Sequence, residues 1–206
     1  MPDVTLELAT TSVQDTRAVG RAIAGRLRPG DVVALAGELG AGKTALVQGA
    51  AAALGVTLPV TSPTFVLVKH LPAPVPLVHV DVYRLEGLTH VDDLDEDVFA
   101  PDVVTFVEWA DRIAHLLPED RLEVRLEVRL EVRREHPVGA GEATAATTAT
   151  AGAADGPGVD VASDHGARRL LVTPCGPGWA ARLEALEHVL VGWRQDGSAP
   201  AAPATA

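Results

Sequence analysis

Hydrophobic residues near the amino terminus follow first a strand spacing and then a helical one. Residues 3–9 alternate apolar and polar positions, which predicts a short strand. Ser12 stands three residues before Asp15, a spacing typical of a helix N-cap, and apolar residues then recur at helical intervals up to Pro29. The apolar run 32–36 is short and continuous, as expected of a strand covered on both faces. The chain therefore begins as strand, helix, strand.

The alternation of strands and helices continues through the middle of the chain. A helix of small residues is predicted from about Thr44 to Leu54. Apolar runs at 77–82 and 103–108 predict two more strands, each with an acidic residue at or near its carboxyl end. The acidic stretch 92–97 between them is interpreted as a solvated loop or helix face. This alternation predicts an α/β fold with a mostly parallel sheet flanked by helices.

A repeated segment predicts the late strands. Residues 121–133 repeat Arg-Leu-Glu-Val, and their apolar residues fall on every second position, which is a strand period. We expect a long strand near the sheet edge with one face buried and Arg and Glu facing water. The apolar segment 169–172 predicts an antiparallel partner, and an amphipathic helix should follow at 179–193. The late strands are thus expected to be antiparallel and at the edge.

Composition and charge narrow the possible functions. The 206-residue chain has 17 basic and 28 acidic residues, for a formal net charge of −11. A negative surface repels nucleic-acid phosphates, so a role with tRNA would be indirect and would need a partner. The single cysteine, Cys175, excludes an internal disulfide framework. Without a signal-peptide pattern or a membrane-length apolar stretch, we expect a cytoplasmic protein with no membrane contact.

The turn after the second strand carries the strongest chemical signal. It reads Gly-Glu-Leu-Gly-Ala-Gly-Lys-Thr and fits the Walker A pattern. Its glycines let backbone N–H groups converge on phosphate oxygens, and the following helix adds the positive end of its dipole. Lys43 is expected to reach the β- and γ-phosphates, and Thr44 to offer its hydroxyl to Mg²⁺. The predicted phosphate-binding residues are Gly37, Glu38, Leu39, Gly40, Ala41, Gly42, Lys43 and Thr44. This motif makes the fold one of the P-loop NTPase type.

Two carboxylates are predicted at the same edge of the sheet as this turn. Asp81 stands near the carboxyl end of the apolar run 77–82 and would hold the metal directly or through water. Glu108 ends the next strand, where it could complete the metal shell or orient the attacking water as a base. Alternatively, Asp81 caps a turn and Glu108 forms an ion pair with Arg112. The predicted metal site is Thr44, Asp81 and Glu108, and the predicted catalytic residues are Lys43, Asp81 and Glu108.

Other polar residues near this edge have two interpretations each. Ser62 and Thr64 lie where P-loop switches place a loop that senses the γ-phosphate, although a hydroxyl-rich turn with proline is also ordinary loop chemistry. His79 shares a strand face with Asp81 and is interpreted as a core histidine in preference to a catalytic one. The aromatic residues Tyr83 and Trp109 are interpreted as packing residues in preference to platforms that stack on a base.

Several motifs occur in a fixed order along the chain: the N-terminal helix, the Walker A turn at 37–44, Thr-Ser-Pro-Thr-Phe at 61–65, His-Val-Asp-Val-Tyr-Arg-Leu at 79–85 and Glu-Trp at 108–109. This ordered set resembles the TsaE (formerly YjeE) family, the ATPase component of bacterial tRNA threonylcarbamoyladenosine synthesis. The resemblance covers about residues 5–135 and 168–176. It implies a compact P-loop α/β fold in which ATP binding and slow hydrolysis support a complex with TsaB and TsaD proteins, which act on the tRNA.

The resemblance also implies roles for individual residues. It assigns the Walker A turn to the phosphates, and Ser62 and Thr64 to a switch-like segment. The segment around Thr11 to Thr16 would approach the adenine. A family arginine near the nucleotide aligns with Arg168 or equally with Arg169. The chain departs from the family pattern at Glu38, where aspartate is usual, and in its triple repeat and low-complexity insertion.

The predicted organisation is one domain with two disordered appendages. Twenty of the thirty residues from 138 to 167 are Ala, Gly or Thr, which leaves little to bury against the entropy of ordering them. We predict a P-loop ATPase core at 1–135, a low-complexity disordered insertion at 136–167, a C-terminal strand and helix of the same domain at 168–195 and a disordered tail at 196–206.

The predicted function is that of a Mg²⁺-dependent ATPase subunit that supports threonylcarbamoyladenosine modification of the adenosine next to the tRNA anticodon. The predicted cofactors are ATP and Mg²⁺, and the predicted partners are TsaD- and TsaB-type proteins. The main alternative is a small-molecule P-loop kinase, but no compact arginine-bearing lid follows Glu108. The guanine-reading tetrad Asn-Lys-x-Asp is absent from the sequence, which argues against a GTPase-like switch. The signature Leu-Ser-Gly-Gly-Gln of transporter-type ATPases is absent as well. Nucleotide binding that only assembles a complex is a further alternative.

Overall fold

The computed structural model describes residues 4–84, 97–129 and 166–195. Most of the predicted insertion, the acidic stretch before Asp97 and the tail from residue 196 lie outside these ranges. The predicted disorder of the insertion and the tail, the interpretation of the acidic stretch as a solvated loop or helix face, and the predicted boundaries of the core therefore stay predictions.

The described residues form seven strands: β1 (Leu6–Thr10), β2 (Val32–Gly37), β3 (Val68–Leu71), β4 (Leu77–Asp81), β5 (Val104–Glu108), β6 (Arg121–Val128) and β7 (Arg168–Cys175). They make a single sheet in the order β1-β7-β6-β2-β5-β4-β3. The four neighbours β6, β2, β5 and β4 pair in parallel, whereas β7 runs antiparallel between β6 and β1, and β3 runs antiparallel to β4. The predicted α/β class with late antiparallel strands is confirmed.

Helices cover the sheet more thickly on one face than on the other. They are α1 (Val13–Ala24), α2 (Lys43–Ala53), α3 (Pro177–Ala180) and α4 (Leu183–Leu190), with 3-10 turns at Ala110–Leu116 and Val191–Trp193. The larger apolar core lies between the sheet and α1, α2 and α4. The opposite face is covered by the first 3-10 turn and by the segment before β5, which bury a smaller cluster around Val98 and Ile113.

Local sequence signals account for the first elements. Ser12 caps α1 as predicted, because its Oγ accepts a 3.0 Å hydrogen bond from the backbone N–H of Asp15. Residues 32–36 of β2 are all buried, as expected of a strand covered on both faces. The helix predicted from Thr44 to Leu54 begins one residue earlier and ends one residue earlier.

Three features of the fold differ from the sequence-based expectation or were missed. Strand β6 lies third from the edge, and β1 is the outermost strand on that side. The single helix expected at 179–193 is broken at Arg182, which has non-helical φ and ψ of −108° and 0° and whose guanidinium binds both carboxylate oxygens of Asp31. Strand β3 was not predicted, since it is only four residues long and half polar.

The Walker A helix is held in place by backbone-to-backbone contact with α1. A Cβ atom on Gly20 would lie 2.1 Å from the carbonyl oxygen of Leu46, and one on Gly49 would lie 1.9 Å from that of Arg17. Both distances are far below van der Waals contact, so the two helices can approach this closely only with glycine at these positions.

We expect Gly49→Ala to lower the free energy of unfolding by about 1–3 kcal/mol, because the added methyl group must push α1 away from α2. Urea denaturation measures this. Gly25→Ala is the matched control, since a Cβ there would make only ordinary contact at 3.5 Å from the Ala22 carbonyl oxygen and Gly25 already has φ of −64°. Equal stability of wild type and Gly49→Ala would contradict the packing described.

Candidate nucleotide site

The turn between β2 and α2 leads into the N-terminus of α2, which has no side-chain cap from the described residues. Gly42 is the N-cap residue of α2, with φ of 106°, a conformation that favours glycine. No side chain in the described part of the chain caps this end, in contrast to Ser12 on α1. The first N–H groups of a helix have no partner within it, so the start of α2 offers donors and a positive dipole end to an anion.

Lys43 is the first residue of α2 and is only 5% exposed. Its ammonium group donates hydrogen bonds to the carbonyl oxygens of Gly37 (2.6 Å) and Glu38 (2.9 Å). It also lies 3.7 Å from the centroid of the Trp109 ring. Burial lowers the pKa of Lys43, and the charges of nearby carboxylates, Glu108 first, oppose that shift. A buried ammonium group thus stands beside the helix end.

The two predicted carboxylates lie side by side, because Asp81 and Glu108 are register partners at the carboxyl ends of β4 and β5. Both are buried. Glu108 Oε1 accepts hydrogen bonds from Thr44 Oγ1 and from His79 Nε2, each at 2.8 Å. The predicted set of Thr44, Asp81 and Glu108 is therefore close together in space.

Both carboxylate oxygens of Asp81 accept hydrogen bonds from neighbouring residues. Its Oδ2 accepts the hydroxyls of Ser62 (2.6 Å) and Thr64 (2.7 Å), so the predicted switch segment is attached to this carboxylate. Its Oδ1 accepts the backbone N–H of Tyr83 at 2.9 Å, which is the turn-capping role considered as an alternative. Asp81 thus joins the switch segment to the end of β4.

Arg112 does not form the ion pair with Glu108 considered above. Its guanidinium donates to the carbonyl oxygen of Tyr83 and lies 4.8 Å from the Tyr83 ring centroid and 5.4 Å from that of Trp109. The two aromatic rings pack on each other, with centroids 4.7 Å apart. They are packing residues as interpreted, yet both also line the cleft described next.

An open cleft of about 440 Å³ lies over these groups. It brings together ten of the predicted site residues: Leu39, Gly40, Gly42, Lys43, Thr44, Ser62, Thr64, Asp81, Glu108 and Arg168. Sequence reasoning did not assign four further lining residues to the site: Ala45, Tyr83, Arg84 and Trp109. The remaining lining residue, Val13, lies within the segment from Thr11 to Thr16 that the family resemblance places near the adenine.

Four predicted residues lie outside the lining of the cleft. Gly37 and Glu38 contribute carbonyl oxygens that hold Lys43, and Ala41 is fully buried beneath the turn. Thr11 is exposed, and its N–H and hydroxyl both donate to Asp15 Oδ2, at 3.0 and 2.7 Å. Val13 thus replaces Thr11 as the residue of this segment that lines the cleft.

The structure separates the two candidate arginines. Arg168 is buried next to the Walker A turn, since a Cβ on Gly42 would lie 3.3 Å from its Nε. That Nε has no hydrogen-bond partner among the described residues. Arg169, one residue further along β7, points away and binds both carboxylate oxygens of Glu7 at 2.7 Å. Arg168 is therefore the arginine that lies beside the turn.

The donors in the cleft suit a hard cation that takes its other ligands from elsewhere. Within the described residues, no group of three or more His, Cys, Asp or Glu side chains could hold a metal ion by itself. Two carboxylates and one hydroxyl remain, all of them oxygen donors. Mg²⁺ is typically held by one or two carboxylates together with waters and substrate phosphates. The donor set therefore fits Mg²⁺ bound together with a phosphate ligand.

Comparison with known proteins decides the family. The family model described as threonylcarbamoyl adenosine biosynthesis protein TsaE matches residues 10–136, more than half of the chain. The chain belongs to the TsaE family. The expected resemblance is thereby confirmed.

Individual TsaE proteins and one solved structure are similar to this chain. The tRNA threonylcarbamoyladenosine biosynthesis protein TsaE of Streptomyces coelicolor is 51% identical over 112 residues, which are 52% of this chain and 76% of that protein. The TsaE protein of Bacillus subtilis is 40% identical over 131 residues, 63% of this chain and 82% of that protein. The crystal structure of Bacillus subtilis YdiB superposes with a TM-score of 0.63 at 28% identity, covering 91% of this chain and 97% of that one.

No helix within residues 4–84, 97–129 and 166–195 is both long and apolar enough to cross a membrane.

Proposed function

We propose that this TsaE-family chain binds ATP with Mg²⁺ and hydrolyses it slowly, as the energy-coupling subunit of tRNA threonylcarbamoyladenosine formation. One observation carries the proposal. A buried lysine, an uncapped helix N-terminus and two strand-end carboxylates line the same cleft. Each group has a distinct task toward a magnesium triphosphate.

The phosphates would be held by backbone and lysine together. The N–H groups at the start of α2 donate to phosphate oxygens, and the Lys43 ammonium adds a full positive charge. Lys43 is already desolvated and held by two carbonyl oxygens, so little ordering remains to be done when a phosphate arrives. Arg168 offers a second cation, because its Nε faces no partner of the described chain.

The carboxylates would act on the metal and on water. Bound Mg²⁺ would neutralise phosphate charge and keep the phosphates oriented. Thr44 and Glu108 are already in contact, so the hydroxyl and the carboxylate can face one cation together. Glu108 can also accept a proton from water as a general base. Asp81 belongs to the same environment and holds Ser62 and Thr64, which attaches the switch segment to it.

Partner proteins would supply the chemistry on tRNA. The net charge of −11 opposes direct binding of a polyanion, so we assign tRNA contact to TsaD- and TsaB-type proteins and place this chain in the cytoplasm with them. ATP occupancy would then determine whether the chain joins the complex, through the switch segment attached to Asp81.

Phosphate release tests this function. Purified chain should release phosphate from ATP slowly and only with Mg²⁺, and the rate should rise when TsaB and TsaD proteins are added. Efficient phosphate transfer to a small-molecule acceptor without partners would favour the kinase alternative. ATP binding without any hydrolysis, with or without partners, would reduce the role to nucleotide-dependent assembly.

Arg168→Ala should weaken ATP binding about 10-fold, because hydrogen bonds to charged groups are worth about 1.5–3 kcal/mol. Isothermal titration calorimetry with ATP and Mg²⁺ measures the change. Arg169→Ala is the matched control: it removes the same charge from the next residue of β7 but breaks only the ion pairs with Glu7 and Glu127, and its ATP affinity should stay within about twofold. Equal losses in the two variants would contradict the assignment of Arg168.

A further inference from the structure

His79 lies on β4, one strand in from the edge of the sheet, and is fully buried, with 0% of its surface exposed. It lies two residues before Asp81 on β4, so the two side chains are on the same face of the strand. Its register partner on β5 is Phe106. Leu77 and Phe106 belong to the core that includes α2, so this strand face is the one covered by the Walker A helix. The imidazole is therefore placed between the sheet interior and the cleft.

Its hydrogen bonding is one-sided. His79 Nε2 lies 2.8 Å from Glu108 Oε1, whereas Nδ1 is buried and has no partner among the described residues. A carboxylate oxygen only accepts, so Nε2 is the nitrogen that donates. A histidine that serves packing alone would bond through both nitrogens or would be better replaced by an apolar residue, because an unpaired buried polar atom costs free energy.

The contact selects one oxygen of Glu108. Thr44 Oγ1 and His79 Nε2 both donate to Oε1, and no hydrogen bond from the described residues reaches Oε2. Two fixed donors on one oxygen define the rotation of the carboxylate group. Oε2 is then the atom left for a ligand or a water molecule.

We propose that His79 is a positioning residue for Glu108: its Nε2–H holds Oε1 and thereby orients Oε2 toward the reacting water or the metal environment. The proposal rests on the proposed function, since it assigns His79 a task only if Glu108 acts on ATP. His79 touches neither ATP nor the water. It acts through Glu108 alone, in the way that outer hydrogen-bond partners orient metal ligands and catalytic carboxylates.

Nuclear magnetic resonance of the nucleotide-free full chain tests the geometry. With ¹⁵N-labelled imidazoles, His79 is identified among the seven histidines as the signal missing from His79→Gln. We expect a proton on Nε2, and a shift of that Nε2–H signal in Glu108→Ala. An Nε2 without a proton, or a signal unchanged by Glu108→Ala, would overturn the proposal. This result does not depend on whether the chain hydrolyses ATP.

Single-turnover kinetics test whether this positioning of Glu108 affects ATP hydrolysis. His79→Leu should lower single-turnover phosphate release about 10-fold while ATP affinity stays within about threefold, and His79→Gln, which keeps an N–H near the Nε2 position, should recover most of the rate. His70→Leu on the neighbouring β3 is the control and should leave the rate unchanged. Normal turnover in His79→Leu, or equal losses in the Leu and Gln variants, would overturn the proposal.

A double variant distinguishes action through Glu108 from a general effect on folding. In a Glu108→Ala background, His79→Leu should cause no further loss of turnover, whereas independent effects would multiply. A full additional loss would overturn the proposal. If wild type itself releases no phosphate, the proposed function fails while the resonance experiment still decides the geometry. If wild type is active and only the His79 results disagree, the positioning role alone fails.

Discussion

Replacing Lys43 by alanine should weaken ATP binding about 100-fold or more. That factor corresponds to about 2.7 kcal/mol, within reach of one buried cation paired with a phosphate. The ammonium group is buried beside the helix end, and water cannot replace its charge at that depth. Loss of the ammonium also leaves the carbonyl oxygens of Gly37 and Glu38 without their donor, which loosens the turn. Isothermal titration calorimetry with ATP and Mg²⁺ measures the affinity.

The second lysine of the chain provides the matched control. Lys69 on β3 donates to the carbonyl and hydroxyl oxygens of Thr61 and does not line the cleft. Lys69→Ala removes the same charge, so long-range electrostatics change equally while the phosphate contact stays intact. Its ATP affinity should remain within about twofold. Similar losses of ATP affinity in both variants would mean that the net charge of the protein governs binding and that a local contact with Lys43 does not.

Replacing Glu108 by glutamine should lower turnover about 100-fold and change ATP affinity less than threefold. General bases typically contribute 10²–10⁴-fold to rate, and an amide cannot take the proton. Glutamine keeps the size of the side chain and a carbonyl oxygen that can still accept from Thr44 and His79, so the cleft should keep its shape. Single-turnover phosphate release at saturating ATP separates this change from any change in binding.

Glu184→Gln on the exposed side of α4 is the control for the loss of one negative charge, and its turnover should match that of wild type. If Glu108→Gln hydrolyses ATP at the normal rate, Glu108 is neither base nor essential metal ligand. If it loses ATP affinity in parallel with rate, its role lies in binding.

The parts of the site that follow from local sequence were predictable. The Walker A turn carries its own signal in the spacing of glycines before Lys43, and strand periodicity placed Asp81 and Glu108 at strand ends. Parallel neighbours end at the same sheet edge, which is why two residues 27 positions apart became register partners. The cap at Ser12 follows from a three-residue spacing in the same way.

Features that depend on contacts between distant segments could not be predicted. Nothing local distinguishes Arg168 from Arg169; the alternation of β7 turns one toward Gly42 and the other toward Glu7. The hydrogen bond from His79 to Glu108 exists only because β4 and β5 are neighbours. Trp109 lines the cleft, and its backbone has φ of 62°. The sequence does not indicate this left-handed conformation, which is uncommon for an aromatic residue.

The central claim is that the Walker A turn and the two strand-end carboxylates bind a magnesium triphosphate. A crystal structure with a non-hydrolysable ATP analogue and Mg²⁺ tests it most directly. We predict the phosphates at the start of α2 in contact with Lys43, with Mg²⁺ beside Thr44 and Glu108. An analogue bound elsewhere on the chain, or phosphates in the cleft with no contact to Lys43, would contradict the claim.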